Sequence, residues 1–408
     1  MFFLLPIALY IILFIPYISV IPSNDGNLEF ILANDWYTNQ NRFHLLSLHP
    51  PAKYILFSFF YQIFGYNSIG YIGLLLGAAG IYALYLIAKK FFDKKIAVLS
   101  AMLLATSGLY ISVGLFSIHD FLITVFLLIA YAAYLYSRFW LYALFASLAV
   151  LTKEPALFFP LSILFYELFI KRKFSVTSFL PVIVFLCYLG YLYSTGNHIW
   201  NEWNFSNTAN KGSIYTMINN LVTFQFLNKY AYENWLHLFV FNFNWVYWIF
   251  TGISFFYIKT VKMKKELIPI GIFFLSFILM PLSFQTFTIT RYILPLLPFL
   301  YMFAVFGVSK MRFKPVFAIL LVLITLVSLF QSVDPVSNFF WKKIQVFNQQ
   351  LYLSPLGGKD SITYNMQYLF LMKQRTDMIE HNHCTMPDVI PYETQTLILL
   401  HIKTCGAQ

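Results

Sequence analysis

The sequence predicts an all-α polytopic membrane protein with about eleven transmembrane helices and a small extracytoplasmic C-terminal α/β tail. Three observations predict this class. Of the 408 residues, 60% are hydrophobic and 11% are charged, whereas soluble domains carry about 25% charged residues. The hydrophobic residues gather in long runs. Fifteen of the 27 basic residues lie in five very short segments between those runs.

Apolar runs of about 20 residues are long enough to cross a bilayer as helices. The predicted spans are 2–21, 69–88, 96–114, 117–137, 139–152, 154–170, 176–194, 234–258, 267–284, 293–309 and 315–331. The apolar stretch 54–64 is too short to span and is expected to lie along or dip into the interface. The first run has neither a basic start nor an A-x-A cleavage site, so we expect a retained span rather than a removed signal peptide.

The five basic segments orient these spans. They contain Lys89, Lys90, Lys94 and Lys95; Arg138; Lys171, Arg172 and Lys173; Lys259, Lys262, Lys264 and Lys265; and Lys310, Arg312 and Lys314. Because basic residues favour the cytoplasmic side, we expect a multi-pass protein of the cell membrane with a cytoplasmic N-terminus and an extracytoplasmic C-terminus. The net charge of +11 therefore indicates membrane topology and not nucleic-acid binding.

The same topology divides the chain into two predicted domains. Residues 1–331 form the transmembrane domain, with long outer loops at 22–53 and 195–233, and residues 332–408 form a small outer domain. A strand is predicted at Thr396–Ile402 in that tail. Cys384 and Cys405 also lie there, where they can form a disulfide if the compartment is oxidising.

Two charged sites are expected inside the membrane. A helix over 139–152 rises about 1.5 Å per residue, which gives about 20 Å against a hydrocarbon core of about 30 Å. The turn at Lys153-Glu154 should therefore fall below the outer surface, and Asp120 should lie at a similar depth. Charges at that depth are costly unless they face a wet or protein-lined cavity, so both sites are functional candidates.

The acidic candidates each have an alternative role. Asp25, in the first outer loop, is a candidate base that accepts a proton from a hydroxyl, or a solvated carboxylate that caps a short helix. His119 and Asp120 are candidates for binding a divalent cation with Asp25, and Asp120 for orienting a substrate. The alternative for Asp120 is a buried ion pair with Lys153.

The basic candidates are also open to two interpretations. Lys153 is a candidate point-charge partner for a phosphate, or it pairs with a neighbouring acid. Arg291 can grip a phosphate bidentately, or it extends to lipid headgroups. His49 and Lys53 flank two prolines that fix an extended entry into the next segment. They either point at a phosphate or sugar or belong to a plain turn.

Several of these stretches, in this order, carry a family resemblance. They read Asn24-Asp25-Gly26, His49-Pro50-Pro51-Ala52-Lys53, Ser117-Ile118-His119-Asp120-Phe121, Leu151-Thr152-Lys153-Glu154-Pro155-Ala156 and Arg291-Tyr292-Ile293-Leu294-Pro295. Together they resemble the membrane glycosyltransferases of the GT-C type, in particular the protein O-mannosyltransferase and aminoarabinose transferase families. Two positions depart from the family pattern: Gly26 replaces a second acid and Glu154 replaces a glycine.

The resemblance implies a polyprenyl (dolichyl-type) phosphate sugar as donor and a hydroxyl on a protein, lipid or glycan as acceptor. It implies inverting transfer on the outer face, with Asp25 as base and Lys153 and Arg291 neutralising the leaving phosphate. Lys53 and His49 would assist. A transporter or flippase for lipid-linked saccharides is the alternative, although the chain lacks the repeated halves of many transporters. A non-catalytic scaffold is a further alternative.

Overall fold

The computed structural model describes residues 3–20, 50–115, 119–173, 175–194, 222–224, 245–261, 263–283, 290–330 and 366–382. Within these ranges the regular structure is helical, and no strand occurs. The helices are α1 (Leu4–Phe14), α2 (Ala52–Phe64), α3 (Ser68–Phe91), α4 (Lys94–Ala105), α5 (Gly108–Leu115), α6 (His119–Leu135), α7 (Phe139–Val150), α8 (Phe158–Phe165), α9 (Val176–Ser194), α10 (Trp245–Phe256), α11 (Ile268–Ser283), α12 (Leu297–Lys310), α13 (Lys314–Phe330) and α14 (Met366–Asn382). The all-α class predicted for the membrane domain is confirmed.

Apart from α14, the helices lie where apolar stretches were predicted, but most are short. Among the described residues, α3 alone is long and apolar enough to cross a bilayer. The pair α4 and α5 qualifies together as a second such segment, bent by 53°. Several further apolar helices, among them α6, α7 and α12, are 10 to 17 residues long. The predicted number of crossings and the orientation of the termini therefore stay predictions.

A stripe of glycines brings α3 unusually close to its neighbours. It consists of Gly70, Gly73, Gly77 and Gly80, which fall on one helical face because side chains three or four positions apart lie above one another. A Cβ atom on Gly73 would collide with the backbone carbonyl of Gly114 in α5. Close backbone approach through small residues is how helices associate in lipid, and here it places α5 against α3.

Two tyrosine hydroxyls bind the backbone of the same stripe. Tyr10 in α1 donates to the carbonyl oxygen of Gly73 at 2.9 Å, and Tyr110 in α5 donates to that of Gly77 at 2.9 Å. Both tyrosines are fully buried. A buried hydroxyl needs a partner, and the absent glycine side chains leave these carbonyls accessible. The stripe therefore fixes α1 and α5 by hydrogen bonds as well as by contact.

Helix α6 lies at the centre of the described bundle. Nearly every residue from His119 to Leu135 is buried, and the helix packs against α3 and α7. A helix that is apolar all round is expected in such a position. Because α6 begins at His119, its first turn carries the candidate residues His119 and Asp120 into the packed interior.

A second polar network lies at the other end of α6. The Tyr134 hydroxyl donates to Glu167 Oε1 at 3.1 Å, and Lys171 Nζ donates to the Tyr134 oxygen at 3.1 Å. Glu167 and Lys171 belong to a π-helix, Tyr166–Lys171. The carboxylate and the ammonium thus meet through a tyrosine and not directly.

The tail contributes one described helix, α14, which packs against α5 and α13. Its exposed surface carries an ion pair between Lys373 and Asp377 at 3.0 Å. The strand predicted at Thr396–Ile402 and both tail cysteines lie outside the described residues, so the α/β character of the tail and the domain boundary at 331 stay predictions.

Candidate active site

Three residues predicted from separate parts of the sequence meet at one point. Lys153 Nζ donates to Asp120 Oδ1 at 2.7 Å, and Arg291 Nε forms an ion pair with Asp120 Oδ2 at 3.2 Å. The three side chains are 7%, 4% and 2% exposed for Lys153, Arg291 and Asp120 respectively. Arg291 is therefore buried against a carboxylate. The ion pair considered for Asp120 and Lys153 is present.

Local structure explains why these side chains converge. Asp120 lies in the first turn of α6, where a carboxylate is favoured by the helix dipole. Lys153 has extended backbone dihedrals in the turn after α7, so the chain breaks direction there and projects the ammonium inward. Arg291 lies in a 3₁₀ helix, Thr290–Ile293, which three residues separate from the start of α12. Each charged group thus comes from a helix end, where backbone groups also need polar partners.

Lys53 and His119 form the adjoining pair. Lys53 Nζ lies 2.9 Å from His119 Nδ1, and both side chains are buried. The position of Lys53 is fixed by the turn before it, because the Ala52 amide donates to the Leu151 carbonyl at 2.8 Å. This bond ties the start of α2 to the end of α7, two residues from Lys153. The cluster of Lys53, His119, Asp120, Lys153 and Arg291 is called the cation cluster below.

An aromatic ring that sequence reasoning missed completes the cation cluster. Lys153 Nζ lies 4.5 Å from the centroid of the Tyr292 ring, and the Arg291 guanidinium carbon lies 5.8 Å from it. Cations at these distances are attracted by the ring face. The adjacency of Tyr292 to Arg291 in the sequence could have indicated it, but nothing in the sequence shows which way the tyrosine ring faces.

Two predicted residues, Asp25 and His49, lie outside the described residues, so the structure does not test their placement. The candidate divalent-cation site includes Asp25, so only its other two residues, His119 and Asp120, are described. Among described side chains, no group of three His, Cys, Asp or Glu lies together. Moreover, the Nδ1 atom of His119 faces an ammonium and both oxygens of Asp120 face cations. A divalent-cation site formed by Asp25, His119 and Asp120 therefore stays a prediction.

The sequence matches one family of known proteins. Residues 48–200 match the family described as dolichyl-phosphate-mannose-protein mannosyltransferase, a range that includes four of the five residues of the cation cluster. A protein from Aquifex aeolicus (strain VF5), named only as an uncharacterized protein, is 33% identical over 133 residues. That match covers 30% of this chain and 27% of the relative, so this chain spans about a quarter of that relative's length.

Solved structures share the fold. The crystal structure of ArnT from Cupriavidus metallidurans bound to undecaprenyl phosphate matches with a TM-score of 0.53 at 11% identity, over 99% of this chain and 75% of that one. The Archaeoglobus fulgidus oligosaccharyltransferase in complex with Zn and sulfate matches with a TM-score of 0.50 at 13% identity, over 97% and 58%. The chain is thus similar to that family over residues 48–200 and shares its fold with these two solved structures.

Proposed function

We propose that this membrane glycosyltransferase moves a monosaccharide from a polyprenyl (dolichyl-type) phosphate donor to an acceptor hydroxyl on the extracytoplasmic face. The observation that carries the proposal is the convergence of Lys153 and Arg291 on one buried carboxylate, next to Lys53. Burying charges this deeply costs free energy unless ion-pair partners or a bound ligand compensate for the lost solvation. A lipid phosphate is a ligand that needs several cations at membrane depth.

The formal charges of the cation cluster suit a leaving phosphate. Lys53, Lys153 and Arg291 are positive and Asp120 is negative, so these four side chains together carry two positive charges. A sugar phosphodiester carries one negative charge, whereas the released polyprenyl phosphate carries up to two. The cluster therefore interacts more strongly with the departing group than with the bound donor, and such differential binding lowers the barrier.

The transfer step moves atoms as follows. The acceptor hydroxyl oxygen attacks the anomeric carbon, and the bond from that carbon to the phosphate oxygen breaks with its electron pair going to the phosphate. The hydroxyl proton passes to the Asp25 carboxylate, and the configuration at the anomeric carbon inverts. Asp25 is assigned this role on the family resemblance and on its place in the first outer loop. His49 would assist Lys53 at the phosphate.

Asp120 has a second use in this scheme. Its Oδ2 atom is paired in charge with Arg291 but accepts no hydrogen bond from the described residues. Ionised carboxylate oxygens each accept more than one hydrogen bond, so Oδ2 can accept one from an acceptor hydroxyl. We therefore assign Asp120 to holding the two cations and orienting the acceptor.

Two further points support the proposal. The solved ArnT structure that shares this fold holds undecaprenyl phosphate, which is a lipid phosphate of the class we propose. The basic segments between the predicted spans favour an arrangement with the first outer loop and the tail on the extracytoplasmic side. The acceptor classes that fit are a protein, a lipid or a glycan hydroxyl.

The test is binding of undecaprenyl phosphate to the purified protein in detergent. We expect Lys153→Gln and Arg291→Gln each to weaken binding by about 10- to 100-fold, because hydrogen bonds to charged groups contribute about 1.5–3 kcal/mol. Lys310→Gln, at the exposed end of α12, is the matched control and should bind as the wild type does. Asp25→Asn should bind the lipid yet release no polyprenyl phosphate from a sugar-loaded donor.

Two results would contradict the proposal. One is wild-type affinity in both cation variants, since the cluster would then not hold the phosphate. The other is transfer at the wild-type rate by Asp25→Asn, which would remove the proposed base. A protein that binds the lipid but never releases polyprenyl phosphate in detergent would favour the transporter alternative, because transport needs two compartments.

A further inference from the structure

The hydrogen bond between Lys53 and His119 fixes the protonation of the imidazole. A lysine ammonium has donors and no acceptor, so at 2.9 Å the Nδ1 atom of His119 must accept. An imidazole that accepts through Nδ1 is neutral and carries its proton on Nε2. The contact therefore selects one of the two neutral tautomers and excludes the doubly protonated ring.

The surroundings make this pair rigid. Lys53 is 1% exposed and His119 is 5% exposed, so neither side chain can exchange its partner for bulk water. Lys53 also lies 4.7 Å from the centroid of the Tyr54 ring, which stabilises the ammonium on a second side. At the base of the side chain, the bond from the Ala52 amide to the Leu151 carbonyl holds the start of α2.

His119 and Asp120 are neighbours in the chain, and this links the two halves of the cation cluster. Asp120 receives Lys153 and Arg291, while His119 receives Lys53. The first turn of α6 thus holds all three cations through two consecutive side chains. The acceptor on Asp120 is a charged carboxylate, whereas the acceptor on His119 is a neutral imidazole nitrogen.

We propose that His119 is a positioning residue that aims the Lys53 ammonium at the donor phosphate through its Nδ1 atom. This inference rests on the proposed function for the identity of the ligand. It assigns His119 neither to proton transfer nor to metal binding. A neutral acceptor suits the role, because an imidazole nitrogen orients the ammonium without itself adding a negative charge that competes with the phosphate.

The position of the acceptor atom gives a matched set of variants. Asparagine places an amide oxygen near the site of Nδ1, whereas glutamine places one nearer the site of Nε2. We expect His119→Leu to weaken undecaprenyl phosphate binding about tenfold. That factor corresponds to the upper end of the net contribution of a typical hydrogen bond. His119→Asn should retain binding within about twofold and His119→Gln should resemble the leucine variant. Thermal unfolding midpoints of all three show whether the fold is intact.

A double substitution separates positioning from a general structural effect. If His119 acts through Lys53, then His119→Leu combined with Lys53→Met should bind no more weakly than Lys53→Met alone. Additive losses would overturn the inference. Equal binding by the leucine variant and the wild type, with Lys53→Met impaired, would also overturn it.

Nitrogen NMR tests the same inference without any lipid. The protein has eight histidines, and the His119 signals are those missing from the His119→Asn variant in a ¹⁵N-histidine-labelled sample. We expect an unprotonated Nδ1 and a protonated Nε2, with the Nδ1 resonance shifting in Lys53→Met. A protonated Nδ1 would overturn the inference. Normal lipid binding by Lys53→Met and Lys153→Gln would instead overturn the proposed function, so the two failures are distinguishable.

Discussion

Removing the Asp120 carboxylate is the sharpest test of the site's energetics. Asp120→Asn keeps the size of the side chain but takes away the negative charge that Lys153 and Arg291 share. The two contacts, 2.7 Å and 3.2 Å long, place both cations against one group. The substitution therefore leaves two buried positive charges close together without the carboxylate between them.

The expected magnitude follows from burial. Removing one partner of a buried ion pair costs about 3–5 kcal/mol of unfolding free energy, because the remaining charge stays desolvated. An exposed pair contributes about 0–1 kcal/mol. The chain offers such a pair as a control: Lys373 and Asp377 are 40% and 48% exposed. Asp120→Asn should therefore destabilise the protein several times more than Asp377→Asn does.

The assay is denaturant-induced unfolding in mixed detergent micelles, with the wild type and the variants measured in micelles of the same composition. A second substitution sharpens it, since Lys153→Met in the Asp120→Asn background removes one stranded cation and should recover at least about 1 kcal/mol. Two results would refute the reasoning: equal effects of the buried and exposed substitutions, or strictly additive effects of Asp120→Asn and Lys153→Met.

Two further predictions concern packing away from the site. Gly73→Ala should lower the unfolding free energy by about 1–3 kcal/mol because its Cβ meets a backbone carbonyl that cannot move aside. Gly190→Ala meets nothing within 4 Å and should be neutral or stabilising by up to about 1 kcal/mol; equal stability of the two variants in the same assay would contradict the close-contact explanation. Tyr134→Phe should cost about 1–3 kcal/mol because Glu167 loses a buried donor, whereas Tyr136→Phe, which loses a long contact of 3.4 Å at the surface, should be nearly silent by thermal unfolding.

Much of the fold could be predicted because membrane-spanning helices need long apolar runs, and such runs are visible in the sequence. Apolar runs predicted the positions of most helices, and the structure places α9 and α13 within one residue of their predicted bounds. The break within the third predicted span was not predicted. Its helix ends at Ala105 and resumes at Gly108 with a bend of 53°, and hydropathy averaged over a window is insensitive to such a short interruption.

The site was predictable in its members but not in its pairings. Lys153 and Asp120 stood out because ionisable residues within apolar runs are rare. That Arg291 would share the same carboxylate depends on how α12 packs against α4 and α10, which no local pattern encodes. The contact of Lys53 with His119 was missed for the same reason, since 66 residues separate them and each has a plausible local role.

The glycine stripe connects packing to the proposed chemistry. Helix α5 ends at Leu115 and α6 starts at His119, so the position of α5 constrains where the first turn of α6 can begin. The close contact of Gly73 with the Gly114 carbonyl and the hydrogen bond from Tyr110 to the Gly77 carbonyl hold α5 against α3. Charged groups act on a transition state only if they are held to about 0.5 Å. The glycines of α3 therefore contribute to the site by fixing the position of α5. The chain continues from α5 to His119 and Asp120, which hold the three cations of the cation cluster.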